Sequence, residues 1–284
     1  MTNPLIAARD AFLAKTPEKR VVVNGRDWGA IRVGNSGPAL VLIPGTLGRA
    51  DIFWQQIMAL KDDAQILSLS YPATGGVDDW AGDIAQMIEA EGFEDVTVLG
   101  SSLGGYLVQY LAAQYPAHIK GLVAANTLMS AKGIDQRPPY SFDLINTPID
   151  DLRAGFTNGL KNWADPANPY SDLSGLLLAE VAGRIPEAEL RTRLQALKTA
   201  PVLAAQSLGS DAIFTVESDD DHLIPPEMRA ALRATLKPDR AFRFRVASHF
   251  PYVTQPDAYT AMLCEVLGLD VAGPQWPAGA ESVL

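Results

Sequence analysis

Val98-Leu99-Gly100-Ser101-Ser102-Leu103-Gly104-Gly105-Tyr106 is the stretch on which the reading of this chain turns. It joins the apolar, β-branched run DVTVLG (95–100) to the helical pattern LGGYLVQYLAAQYP (103–116), which Pro116 stops. A serine at such a junction can be the N-cap of the helix, or the nucleophile of a G-x-S-x-G turn. An N-cap accounts for the serine but not for the small residues two positions to either side of it. A nucleophile on a sharp turn requires them, because strand and helix backbones converge there and a side chain would collide. Gly100 and Gly104 meet that requirement. The turn would hold the Ser102 hydroxyl at a helix N-terminus, where the amide dipoles favour a developing anion.

Working outward from this turn, short apolar runs alternate with longer amphipathic ones. RVVVNG (20–25) and WGAIRVG (28–34) form a predicted hairpin bounded by Gly and Asn. ALVLIPG (39–45) is a continuous apolar run of the kind buried on both faces of a parallel sheet. DIFWQQIMAL (51–60) has helical spacing, QILSLSYP (65–72) reads as a strand, and DDWAGDIAQMIEAEG (78–92) opens on acids and closes on Gly92 as a helix does. KGLVAANT (120–127) is a further strand. From 128 to 208 the alternation stops, leaving Pro- and Asn-rich turns between helical pieces. It resumes with AIFTVES (212–218), PEMRAALRATL (226–236), AFRFRVA (241–247) and a closing helix around 256–267. This rhythm predicts an α/β fold with a mostly parallel, doubly wound sheet. The sheet is built from 1–127 and 209–284, and 128–208 forms a helical cap insertion over the carboxyl edge, where such folds bind ligands.

The bulk properties narrow the partners. The chain has 284 residues, 48% of them hydrophobic, and a net charge of −10. So acidic a surface repels phosphate backbones and anionic lipid heads, which argues against nucleic acid and membrane and for a small-molecule substrate. Cys264 is the only cysteine, so a disulfide within the chain and a Cys-rich zinc site are both excluded. Arg9 and Asp10 interrupt the N-terminal apolar stretch, which therefore does not read as a secretory signal, and a cytoplasmic location is expected. No cofactor or metal is expected either. His222 lies beside Asp219, Asp220 and Asp221, but adjacent residues converge poorly on one ion.

A serine nucleophile needs a base, and three histidines are on offer. His118 follows a helix-stopping proline at the other edge of the sheet, and His222 follows a run of acids. His249, in VASHFPYV, falls between the last strand and the last helix, at the same sheet edge as Ser102, and is the candidate base. The acid should end the preceding strand, where Asp219, Asp220 and Asp221 all qualify. Mutual repulsion implies that most of the three are solvated. Asn126 occupies the end of the strand at 120–127, where an acid could otherwise stand. An oxyanion hole needs two inward N–H groups: Leu103, after the nucleophile, and Thr46, in the Gly-rich loop Pro44-Gly45-Thr46-Leu47-Gly48. Leu47, Met129, Phe142, Phe156, Trp163 and Phe250 are candidates to face the substrate.

With these pieces placed, the chain resembles the α/β-hydrolase superfamily. Within it, PGTLGRADIFWQQIMAL, LSYP, VTVLGSSLGGYLVQ and HFPYV resemble maspardin and its bacterial relatives. The superfamily resemblance implies an acid four residues before a proline, which in D-H-L-I-P selects Asp221. It also implies His-Gly where this chain has Pro44-Gly45, a change that leaves the backbone donor in place. Dehalogenases and epoxide hydrolases of the superfamily carry Asp at the nucleophile position, so Ser102 disfavours both. The expectation is a serine hydrolase of small carboxylic esters using Ser102, His249 and Asp221. Carbon–carbon bond hydrolysis by the same triad is one alternative. The other is a maspardin-like binding protein with a vestigial site, although maspardin lacks the histidine that His249 supplies.

Overall fold

A computed structural model describes residues 3–271 and 273–284. Helix α1 (Pro4–Lys15) starts where Asn3 Oδ1 accepts the Leu5 and Ile6 N–H groups at 3.0 and 3.1 Å. Strands β1 (Lys19–Val23) and β2 (Arg26–Val33) form the hairpin, turning through Asn24 and Gly25, both at positive φ. The units that follow are β3 (Ala39–Ile43), α2 (Trp54–Leu60), β4 (Gln65–Ser70), α3 (Val77–Ala90), β5 (Val96–Ser101), α4 (Leu103–Gln114) and β6 (Ile119–Ala125). Three helices come next: α5 (Ile149–Lys161), α6 (Ser171–Ala179) and α7 (Glu187–Lys198). The chain closes with β7 (Ile213–Ser218), α8 (Pro226–Leu236), β8 (Arg240–Phe244), α9 (Pro251–Thr254), α10 (Pro256–Leu267) and β9 (Glu281–Val283).

The strands form one sheet in the order β1-β2-β4-β3-β5-β6-β7-β8-β9, in which only β2 runs antiparallel to its neighbours. This is the mostly parallel, doubly wound sheet that the alternation predicts. Every residue of β3 and of β5 is buried, as strands covered on both faces must be. Their side chains alternate between two cores. Leu40 and Leu42 pack on one face with Phe53, Tyr252 and Met262, while Val41 and Ile43 pack on the other with Trp80 and Leu107. Strand order reverses between β3 and β5, so a crevice opens where these two strands end, and the loops carrying Thr46 and Ser102 flank it.

Two elements carry no clear signal in the sequence. Helix α1 follows an unremarkable N-terminal pattern, and β9 is three residues long, pairing Glu281 with Ala241 on the outer edge of β8. No strand lies between β6 and β7 among the described residues, in keeping with the broken alternation there. Helix α7 nevertheless belongs to the interior: Leu190 and Leu194 join one core and Ala196 and Leu197 the other. Cys264 is buried in α10. Among the described residues, no helix is long and apolar enough to cross a membrane.

Candidate active site

Ser102 stands at the N-terminus of α4 with φ 55° and ψ −116°, a left-handed conformation that costs a non-glycine residue energy. Its side chain makes no capping hydrogen bond, so the N-cap reading fails at the atom that would have to do the capping. The backbone around it is held tightly: Ser102 N–H donates to Ala125 O at 3.0 Å, and Thr127 Oγ1 donates to Ser102 O at 2.6 Å. The two glycines are sterically required. A Cβ on Gly100 would lie 2.0 Å from Gly104 O, and one on Gly104 would lie 2.3 Å from Ile43 O and 2.6 Å from Pro44 O. The turn is therefore closed by backbone on three sides, leaving the half-buried Ser102 side chain directed to the open one.

That open side is a cavity of about 1200 Å³. Ser102, His249, Thr46 and Leu47 line it, as do Met129, Trp163, Phe250, Phe142 and Phe156. Leu103 does not reach it with its side chain; it is fully buried as the first residue of α4, and only its backbone could serve. Of the other histidines, His222 also lines the cavity from an exposed position, whereas His118 faces Glu89 at 3.3 Å and is not part of it. Tyr140, which the sequence did not single out, contributes to the wall beside Thr46. Burial pushes its phenol up to about 12 in spite of a hydrogen bond with Thr46.

Behind His249, its Nδ1 meets Asp221 Oδ2 at 2.8 Å. Asp221 is buried, and both of its oxygens are occupied. Oδ1 accepts the Leu223 and Ile224 N–H groups at 2.9 and 3.1 Å, closing the D-H-L-I-P turn on itself. Oδ2 accepts Asn126 Nδ2 at 3.0 Å as well as facing His249. Burial alone would push this carboxyl up, but His249, Asn126 and the Leu223 N–H together hold it below the usual aspartate range. Asn126 is thus a direct partner of Asp221 that the sequence marks only as the absence of an acid. Its own φ of 43° marks it as strained, a signal visible only in three dimensions.

The expectation that most of the three acids are solvated is corrected here. Asp219 pairs with Arg243 Nε. Asp220 Oδ1 accepts the Ala247 and Ser248 N–H groups at 3.0 and 2.9 Å, and its Oδ2 accepts Tyr170 Oη from the segment before α6. Each carboxylate has a separate partner, so adjacency does not force any of them out into water.

A family model for the alpha/beta hydrolase fold matches residues 38–256. A protein of Enterobacter cloacae provisionally named carbamate hydrolase RutD is 26% identical over 250 residues, spanning 81% of this chain and 91% of its own length. Among solved structures, a hydrolase from Pseudomonas aeruginosa superposes with a TM-score of 0.72 at 19% identity, covering 89% of this chain and 98% of its own. A thermophilic esterase from Thermogutta terrifontis does so with a TM-score of 0.71 at 17% identity, covering 88% and 98%. The relatives are hydrolases of the RutD kind, and nothing in them supports the maspardin branch that the sequence motifs suggested.

Proposed function

The chain belongs to the α/β-hydrolase family, and from that premise we propose that it is a serine hydrolase cleaving a carboxylic ester or related acyl compound through an acyl-enzyme. The observation that carries this reading is the His249–Asp221 pair at 2.8 Å, set on the same cavity as a Ser102 hydroxyl that caps nothing. Ser102 Oγ attacks the acyl carbon while His249 takes its proton. Asp221 keeps the Nδ1 proton in place and stabilises the imidazolium that forms. The negative charge that develops on the carbonyl oxygen is met by the Leu103 and Thr46 N–H groups and by the N-terminal dipole of α4. His249 then protonates the leaving alcohol, and a water activated by the same histidine releases the acid. No step calls on a metal or cofactor.

The segment 128–208 acts in this reading as a cap that shapes the substrate site while the sheet supplies the chemistry. Apolar walls from Met129, Phe156 and Trp163 favour an acyl or alcohol part with substantial hydrocarbon. The RutD relative motivates a second reading, hydrolysis of a carbamate by the same attack. A cavity of about 1200 Å³ admits either compound with a large hydrocarbon substituent, so its walls bear on the size of the group and not on the bond cleaved. A panel of p-nitrophenyl esters and carbamates decides between them. The ester reading expects turnover that rises with acyl length and disappears in Ser102→Ala, by roughly six orders of magnitude in kcat. Carbamate turnover with inert esters would replace it with the second reading.

A further inference from the structure

An N–H group can serve an oxyanion only if its peptide plane is fixed before the charge forms. Because the trans peptide is planar, that plane is set by whatever holds its carbonyl. In the loop after β3 nearly every carbonyl is held. Tyr71 Oη donates to Pro44 O at 2.7 Å, and Gly48 N–H donates to Gly45 O at 3.1 Å. Arg193 Nη1 donates to both Thr46 O and Gly48 O, at 2.9 and 2.8 Å. The Thr46 N–H shares its plane with Gly45 O, which Gly48 N–H holds from within the loop. Arg193 acts on both sides of that brace: through Thr46 O it fixes the plane that follows Thr46, and through Gly48 O it anchors the residue that makes the brace.

Arg193 comes from α7, in the segment between β6 and β7, and is completely buried. Its Nη2 donates to Glu189 Oε2 at 3.0 Å, and Glu189 is held in turn by Arg49 at 3.1 Å. The guanidinium lies over the ring of Tyr71, 5.1 Å from its centre, so the two groups that grip the loop also grip each other. Burying a cation is expensive, and a hydrophobic residue of similar size would commonly serve stability as well or better. Here the charge does something an apolar residue cannot, since one nitrogen satisfies two carbonyls of the same loop.

We infer that Arg193 is a positioning residue for the oxyanion hole, so that α7 forms part of the reaction machinery as well as of the cap. The inference rests on the serine-hydrolase reading above. Arg193→Lys keeps the charge but cannot reproduce the fork that spans Thr46 O and Gly48 O while bonding Glu189. Tyr71→Phe removes only the bond to Pro44 O and keeps the ring.

The test measures kcat and KM on an ester, per active site titrated with a fluorophosphonate, together with the affinity of a boronic acid that forms a tetrahedral adduct. Arg193→Lys should lose about 10- to 100-fold in kcat, as a displaced reacting geometry does. Its KM should stay within about threefold, and boronate affinity should fall in step with kcat. Tyr71→Phe should move in the same direction by less. If titrated kcat and boronate affinity remain at the wild-type level while the melting temperature drops, Arg193 is a structural ion and the inference is overturned. Should Arg193→Lys not fold, Arg193→Gln, whose single amide cannot hold Thr46 O, Gly48 O and Glu189 together, takes its place, and an unchanged kcat per site overturns the inference equally. Wild-type protein that neither turns over esters nor labels defeats the hydrolase reading itself, whereas active wild type with equally active variants defeats this inference only.

Discussion

The candidate nucleophile turn and the loop facing it across the cavity are held in opposite ways. Residues 100–104 are constrained almost entirely by their own backbone and that of the adjoining strands: Gly100 against Gly104, Gly104 against Ile43 and Pro44, and Ser102 N–H on Ala125 O. Residues 44–48 make one bond of their own, Gly48 N–H to Gly45 O, and are otherwise held by side chains from far along the chain, Tyr71 and Arg193. The histidine loop resembles the second case, with Asp220 bonding the Ala247 and Ser248 N–H groups and Tyr170 bonding Asp220. A self-braced turn depends on local steric fit. Loops braced from a distance depend in part on Arg193 and Tyr170, both from the segment between β6 and β7, staying in place. In the proposed reading, displacement of that segment would disturb the candidate oxyanion and histidine loops more than the Ser102 turn.

The largest effect should come from Asp221, on which both kinds of bracing converge. Asp221→Asn should lower kcat by about 10⁴-fold, because the imidazole loses the acid that fixes its tautomer. The same variant reports on stability. The folded Asp221 carboxyl lies below its unfolded value, so its contribution is present above about pH 3.9 and is lost as the pH falls through the lower folded value. The melting temperature of Asp221→Asn should therefore trail the wild type at neutral pH, with the gap closing in acid. A gap that widens in acid would mean that the carboxyl is not held low by His249 and Asn126.

Gly104→Ala tests the self-braced turn. Its Cβ has no room beside Ile43 O and Pro44 O, so strand and helix must part by a sizeable fraction of an ångström. About a hundredfold loss of activity and a clear drop in melting temperature are expected together. Near-normal kinetics would show that the turn tolerates what its geometry forbids. Asp220→Ala tests the remote bracing and should be milder, about tenfold in kcat, with Tyr170→Phe smaller still and in the same direction. Thermal denaturation run alongside separates a displaced His249 from general unfolding. If Tyr170→Phe equals or exceeds Asp220→Ala, the link from the inserted segment to the histidine loop does not run through this carboxylate.

The same division explains what could be read from the sequence. Gly100, Ser102 and Gly104 are legible because the pattern that marks the turn falls within five residues, although Ile43, Pro44 and Ala125 help to enforce it. The strands and helices of the sheet were legible from their apolar periods, and His249 from the scarcity of histidines and its place after the last long strand. Asp221 was singled out from its neighbours only through the family turn, whose physical basis is the pair of bonds to Leu223 and Ile224. The partners of Asn126, Asp220, Tyr170 and Arg193 are not readable from the sequence, since each is distant along the chain or brought close only by the fold. Arg193 reads in the sequence as one more charge on an amphipathic helix, yet it is wholly buried.

The most direct measurement is the site of covalent capture. Wild-type protein treated with a fluorophosphonate, digested and mapped by mass spectrometry should carry the adduct on Ser102, in the peptide containing Gly100-Ser101-Ser102-Leu103-Gly104. The rate of labelling should fall sharply in His249→Ala, and Ser101→Ala should label as the wild type does. An adduct on another residue, or labelling that persists undiminished in Ser102→Ala, would contradict the account.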